Sequence, residues 1–196
     1  MKVRLILVAL FLSMHGASAA EWKPVERIEA YAISGATGIA LYRSIGEHGP
    51  KIGKGRVIAY TDFKLLWSRD YRPQPDGSCV LASARPSLTI TYRLPKPSGE
   101  LPPPLRDSWA RFRAGIEAHE REHGAGIVEM VRAIEATSVG LTVADDPKCR
   151  KIRQELTGRL AELSREQRRK SREFDQIEMS DGGNVHRLIL ALVNGE

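Results

Sequence analysis

The apolar residues Trp109, Phe112, Ile116, Ile127, Met130 and Ile134 recur at helical spacing, and this long stripe constrains the fold more than any other feature of the chain. It predicts one long helix, capped by Asp107 or Ser108 and running to about Val139. A helix of this kind must bury its apolar face against another layer. In the middle of the stripe His119-Glu120-Arg121-Glu122-His123 spell H-E-x-x-H. Four residues turn a helix through about 400°, so both imidazoles project from the buried face one turn apart, within reach of one metal ion. Glu120 follows about 100° around from His119, where its carboxylate could act on a metal-bound water as general base. A single histidine on an apolar face is ordinarily a core residue satisfied by its neighbours; a pair with a glutamate at this spacing points to a metal. Gly115, Gly124 and Gly126 each cost up to about 1 kcal/mol relative to alanine inside a helix, so close backbone packing or a bend is expected beside the motif.

The chain opens with Lys2 and Arg4, continues through the apolar run from Leu5 to Leu12 and reaches Ala17-Ser18-Ala19. A basic start, an apolar segment too short to span a bilayer and a small-residue cleavage site predict a secretory signal peptide over residues 1–19. Residues 20–196 then form the mature protein, of a length that suits one domain. No later stretch is apolar enough to form a transmembrane segment, so a periplasmic or secreted protein is expected. The formal charge of +6 falls by two when Lys2 and Arg4 leave with the signal. The remaining basic balance suits anionic envelope polymers or lipid headgroups, and export argues against nucleic acid as a partner.

Export also decides the reading of the two cysteines, Cys79 and Cys149. In an oxidising compartment they are expected to form one disulfide, closing a loop of about 70 residues and stabilising by roughly 4 kcal/mol in the chain-entropy model. No C-x-x-C unit suggests a metal pair instead.

Before the motif helix the chain reads as mixed. Ile28 to Ser34 predicts a strand, Ala36 to Glu47 a helix, and Gly49-Pro50 with Gly53 and Gly55 a loop. Arg56 to Thr61, Phe63 to Tyr71 and Val80 to Leu94 are rich in β-branched and aromatic residues, with Pro75-Asp76-Gly77 as turn chemistry. Leu88, Ile90, Tyr92 and Leu94 alternate with Thr89, Thr91 and Arg93, as in a half-buried strand. Leu94-Pro95-Lys96-Pro97 and Pro102-Pro103-Pro104 are expected to end the sheet with a stiff connector. Asp145-Asp146-Pro147 predicts a turn and a second helix start, with Asp146 as cap and Pro147 at the first position. That helix carries a stripe of Cys149, Ile152, Leu156, Leu160, Leu163, Phe174 and Ile177, interrupted by Gln167 and Lys170. The basic run of Arg165, Arg168, Arg169, Lys170 and Arg172 reads as a solvated face. A short connection makes the two helices an antiparallel hairpin, returning the chain past residue 160 to the level of the histidines. Val185 to Val193 is expected to dock as a last short helix. The fold class is α+β: a small, mainly antiparallel sheet with one helix, followed by a long antiparallel helical hairpin carrying the motif.

The order of these landmarks resembles the bacterial family called domain of unknown function 922, described as predicted secreted zinc-dependent proteases. The matching residues are Tyr31-x-x-x-Gly35-x-Thr37, Gly49-Pro50, Tyr60-Thr61 with Trp67, Cys79 before a strand ending Leu94-Pro95, the H-E-x-x-H helix, and Phe174-Asp175 downstream. The resemblance implies His119 and His123 as zinc ligands and Glu120 as the catalytic acid/base. Family members follow their aromatic-Asp pair with a Thr-x-His-Gly-like segment, whereas here Glu178-Met179-Ser180-Asp181-Gly182-Gly183 follows, with no histidine before His186. A catalytic zinc site takes three protein ligands and keeps one open position. Asp175 is the first candidate for the third ligand and Asp181 the second. Glu129 is another, because H-E-x-x-H-x-x-G-x-x-E has metzincin spacing with glutamate last and Gly126 at the turn.

These features lead to an exported zinc peptidase that takes a peptide or protein substrate, with zinc as cofactor. A non-catalytic envelope module retaining the fold is the reading from another class, and amide hydrolysis on a cell-wall peptide differs from the first only in substrate.

Overall fold

A computed structural model describes residues 22–195; the expected signal peptide lies outside the described residues. The elements in order are β1 (Val25–Ile33), α1 (Gly38–His48), β2 (Lys51–Ile52), β3 (Gly55–Arg56), β4 (Tyr60–Pro73), β5 (Cys79–Pro97), α2 (Pro103–Ser138), β6 (Thr142–Val143), α3 (Lys151–Met179) and α4 (Asn184–Asn194). The fold is α+β. Its sheet is mixed: β5 lies in the centre with β4 antiparallel on one side, as expected, but β1 parallel on the other. β6 adds a short antiparallel pairing at the start of β5.

β4 and β5 form one long hairpin. At its turn Gly77 has φ +83°, a left-handed conformation that glycine adopts without a Cβ clash, and the Asp76 side chain accepts from Ser78 N–H at 2.9 Å. β5 continues to Pro97 instead of ending at Leu94. β4 begins opposite Arg93, so beyond that point β5 pairs, among the described residues, only with β1, and on the other side of Pro95 and Pro97 a missing N–H costs no ladder bond.

The alternation in β5 sets the core. Leu88, Ile90, Tyr92 and Leu94 are buried and share one apolar cluster with Phe112, Ile116, Ile127 and Val131 of α2. A second cluster surrounds Cys79 and Cys149, which form a disulfide with their Cα atoms 5.3 Å apart, together with Leu81, Ala84, Ile152 and Leu156. α4 docks as expected: Val185 and Leu192 are buried in the main cluster. Gly38 of α1 accommodates α4, since a Cβ there would lie 1.7 Å from the Leu192 carbonyl oxygen.

Two helix starts differ from expectation for identifiable reasons, and one burial assignment differs as well. α2 starts at Pro103, with Pro102 in the cap position, because proline at the first helical positions has no N–H to lose and presents a suitable φ. Asp107 and Ser108 therefore lie inside the helix, and Ser108 Oγ donates to the Leu105 carbonyl. α3 starts at Lys151, later than Pro147, yet Asp146 still supplies the cap from outside: its two carboxylate oxygens accept from Arg150 N–H at 2.7 Å and Ile152 N–H at 2.9 Å. Ile177, assigned by periodicity to the buried stripe of α3, is 67% exposed.

The glycines of α2 separate into different roles. A Cβ on Gly124 would stand 2.3 Å from Tyr92 Oη, whereas one on Gly126 would meet nothing within 4 Å. Tyr92 is buried, its hydroxyl donates to Glu26 at 3.1 Å, and Arg121 lies over its ring, so it cannot retreat freely. Gly124→Ala should consequently lower stability by about 1–3 kcal/mol through overpacking. Gly126→Ala should raise it by up to about 1 kcal/mol through helix propensity. Urea denaturation of the two variants checks both signs; equal midpoints would refute the close-packing account.

Candidate metal centre

The motif occupies the middle of α2 as one continuous helix, with His119 and Glu120 buried and His123 partly buried. α3 returns along α2 after the connection of residues 139–150 and brings Asp175 to the two histidines. His123 Nε2 is 2.9 Å from Asp175 Oδ1, His119 Nε2 is 3.2 Å from the same oxygen, and the two Nε2 atoms are 3.2 Å apart. Zinc ligands at 2.0–2.1 Å in a tetrahedron stand about 3.3 Å from one another, so this spacing fits three ligands of one ion. His119, His123 and Asp175 form a group that could hold a metal ion.

Other side chains fix how the imidazoles present those nitrogens. Ser171 Oγ lies 2.9 Å from His123 Nδ1. His119 Nδ1 is buried without a hydrogen-bond partner among the described residues, and the carboxylate that faces it is Glu178, with Oε2 at 3.7 Å. A metal on Nε2 places the ring proton on Nδ1, where a hydroxyl or carboxylate customarily receives it. Phe174 stacks on His119 with ring centroids 4.8 Å apart and presents its edge to His123 at 5.4 Å. Ser171 and Glu178 escaped the sequence reading. With Phe174 and Asp175 they occupy positions i, i+3, i+4 and i+7 of α3, a single helical face that their spacing alone could have revealed.

The electrostatics follow from burial and charge. Burial favours a neutral Asp175, but hydrogen bonds and charge from His119 and His123 outweigh it and hold the carboxyl well below the usual carboxylate range. Burial also disfavours a charged His123, yet Asp175 and Glu120 raise its pKa above the ordinary value. For Glu120 burial dominates and pushes the carboxyl up against the opposing pull of Thr61 and the two histidines. Thr61 Oγ1, from β4, lies 2.6 Å from Glu120 Oε2 and 3.0 Å from the Glu120 carbonyl oxygen. Its single proton serves the nearer carboxylate, which ties the motif helix to the edge of the sheet.

Two of the proposed third ligands fall elsewhere. α2 continues through Gly126 to Ser138 without the turn that a metzincin-like arrangement requires, leaving Glu129 exposed and outside the metal-holding group. Asp181 lies beyond the end of α3, exposed and likewise outside the group. Asp175 alone of the three meets the histidines.

The fold and site define an α+β protein with a two-histidine, one-carboxylate cluster held between a sheet-packed helix and its return partner. Residues 28–183 match the family described as bacterial protein of unknown function (DUF922), and the chain belongs to it. That description names no activity. No curated protein and no solved structure matches the chain at a significant level.

Proposed function

We propose that this protein is an exported zinc peptidase. One observation carries the reading: His119 Nε2, His123 Nε2 and Asp175 Oδ1 stand within 3.2 Å of one another beside the buried Glu120, all four residues lining one cleft. Two imidazoles and a carboxylate with a further position open are a donor set for catalytic zinc. A zinc ion bound there would supply an acidified water and polarise a carbonyl. Thr61 holds Glu120 Oε2, which leaves Oε1 to take a proton from the attacking water and pass it to the departing amine nitrogen.

The cleft itself supports a peptide as substrate. Tyr60, Thr61, Asp62 and Phe63 all line it. Successive side chains of a strand point to opposite faces, so four consecutive residues can border one cavity only if it abuts the strand's edge. β4 pairs with β5 on one side alone among the described residues, and its outer edge offers backbone N–H and C=O groups that an extended peptide could satisfy. Export is supported by the disulfide and by the signal-like residues 1–19. No helix among the described residues is long and apolar enough to cross a membrane.

Elemental analysis of untagged protein after zinc reconstitution should find about one zinc per chain. Asp175→Ala should weaken zinc by more than the 10–100-fold typical of outer-shell changes. The reconstituted wild type should cleave casein or a mixed peptide library. Stoichiometry near zero would remove the metal and the enzyme together. Iron retained in preference to zinc would point instead to the oxygenase use of two histidines and one carboxylate, in which Glu120 has no evident task.

A further inference from the structure

The cleft over the metal-holding group has a volume of about 620 Å³, and part of its wall is apolar. Four large apolar side chains that the protein leaves exposed border it: Ile52 at 41%, Val57 at 36%, Phe63 at 39% and Met179 at 50%. They come from β2, the segment after β3, β4 and the last turn of α3. Apolar residues scattered singly over a surface need no explanation, but four that converge from separate elements on one cavity form a patch suited to a ligand.

The charges around the same cleft are unequally committed. Glu120 and Asp175 belong to the metal centre, and Asp62 lies 3.7 Å from Arg93. Arg56 donates to the Gly49 carbonyl at 2.6 Å. On α3, Arg165 pairs with Glu162, and Arg169 pairs with Glu166 and Glu173. Arg168 between them lines the cleft, and no ion pair engages it among the described residues. It precedes Asp175 by two helical turns, about 10 Å along α3, which an extended peptide covers in about three residues.

We infer that the occupant of this cleft is a peptide segment that carries a bulky apolar residue and, about three residues from the bond to be cut, an acidic one. The apolar side chain packs among Ile52, Val57, Phe63 and Met179, and the carboxylate pairs with Arg168. This deepens the peptidase reading and rests on it for the position of the cut, although the binding preference stands on the cleft alone.

The test uses a panel of acetylated, amidated peptides in which leucine or phenylalanine is exchanged for alanine and aspartate for lysine. Cleavage is followed with the zinc-loaded wild type, and binding with the zinc-loaded Glu120→Gln variant by fluorescence anisotropy. Peptides with both features should bind at least tenfold more tightly than the alanine or lysine versions. Phe63→Ser and Met179→Ser, at exposed positions, should erase the leucine preference, and Arg168→Glu should reverse the aspartate preference in favour of lysine. Equal binding across the panel, or an unchanged preference in Arg168→Glu, overturns the inference. Cleavage without preference overturns it while leaving the peptidase reading standing. Selective binding without cleavage does the opposite, and neither binding nor cleavage refutes both.

Discussion

Glu120→Gln should retain one zinc per chain and lose peptidase activity by about 10²–10⁴-fold, the range contributed by a positioned general acid or base. Glutamine has the size and shape of glutamate, and its amide oxygen can still accept from Thr61, so the buried niche stays filled. The three atoms that would hold the metal belong to His119, His123 and Asp175, whereas the hydrogen bond of the Glu120 carboxylate goes to Thr61. What disappears is the ability to take up a proton. His123→Ala is expected to behave differently, since it removes a ligand and should lose metal and activity together. If the wild type binds zinc but cleaves nothing, and Glu120→Gln matches it in every binding and phenotypic comparison, the non-catalytic envelope module becomes the better account.

The second large effect is expected at the disulfide. Replacing Cys79 and Cys149 together by serine should cost about 4 kcal/mol, the chain-entropy value for a loop of this length, and lower the melting temperature by roughly 2–4 °C for each kcal/mol. The separation of 70 residues spans most of β5, all of α2 and β6, so the unfolded chain gains substantial freedom when the link is removed. Both cysteines are buried among Leu81, Ala84, Ile152 and Leu156, where serine hydroxyls would add a desolvation cost. Thermal denaturation with and without reductant measures the effect. Two cysteines open to alkylation in the protein before any reductant is added would contradict the bridge.

The two effects depend on structure that was unequally visible beforehand. Periodicity identified the motif helix and the alternating face of β5, and apolar content the docking tail, because each signal lies within a single element. Cysteine count and the expected export together implied the Cys79–Cys149 bridge. The direction of β1 was not accessible in this way: a half-buried strand has the same alternation whether its neighbour runs parallel or antiparallel. β1 is moreover an edge strand with most of its residues exposed, so its pattern was weak.

The candidate metal centre divides along the same line. The sequence by itself determined that His119, Glu120 and His123 lie close together, since the pitch of a helix fixes residues four apart without help from the rest of the chain. It left Asp175, Asp181 and Glu129 open as the third ligand, because that choice depends on whether α2 turns at Gly126 and on how far α3 slides along α2. Only the tertiary structure set that register, through the packing of Leu160 and Leu163 against the core and the anchoring of α3 by the disulfide. The contact of Thr61 with Glu120, the positions of Ser171 and Glu178 behind the imidazoles and the apolar wall of the cleft were decided there too. Each joins residues from separate elements, and a local pattern records the face an element buries but not the neighbour that covers it.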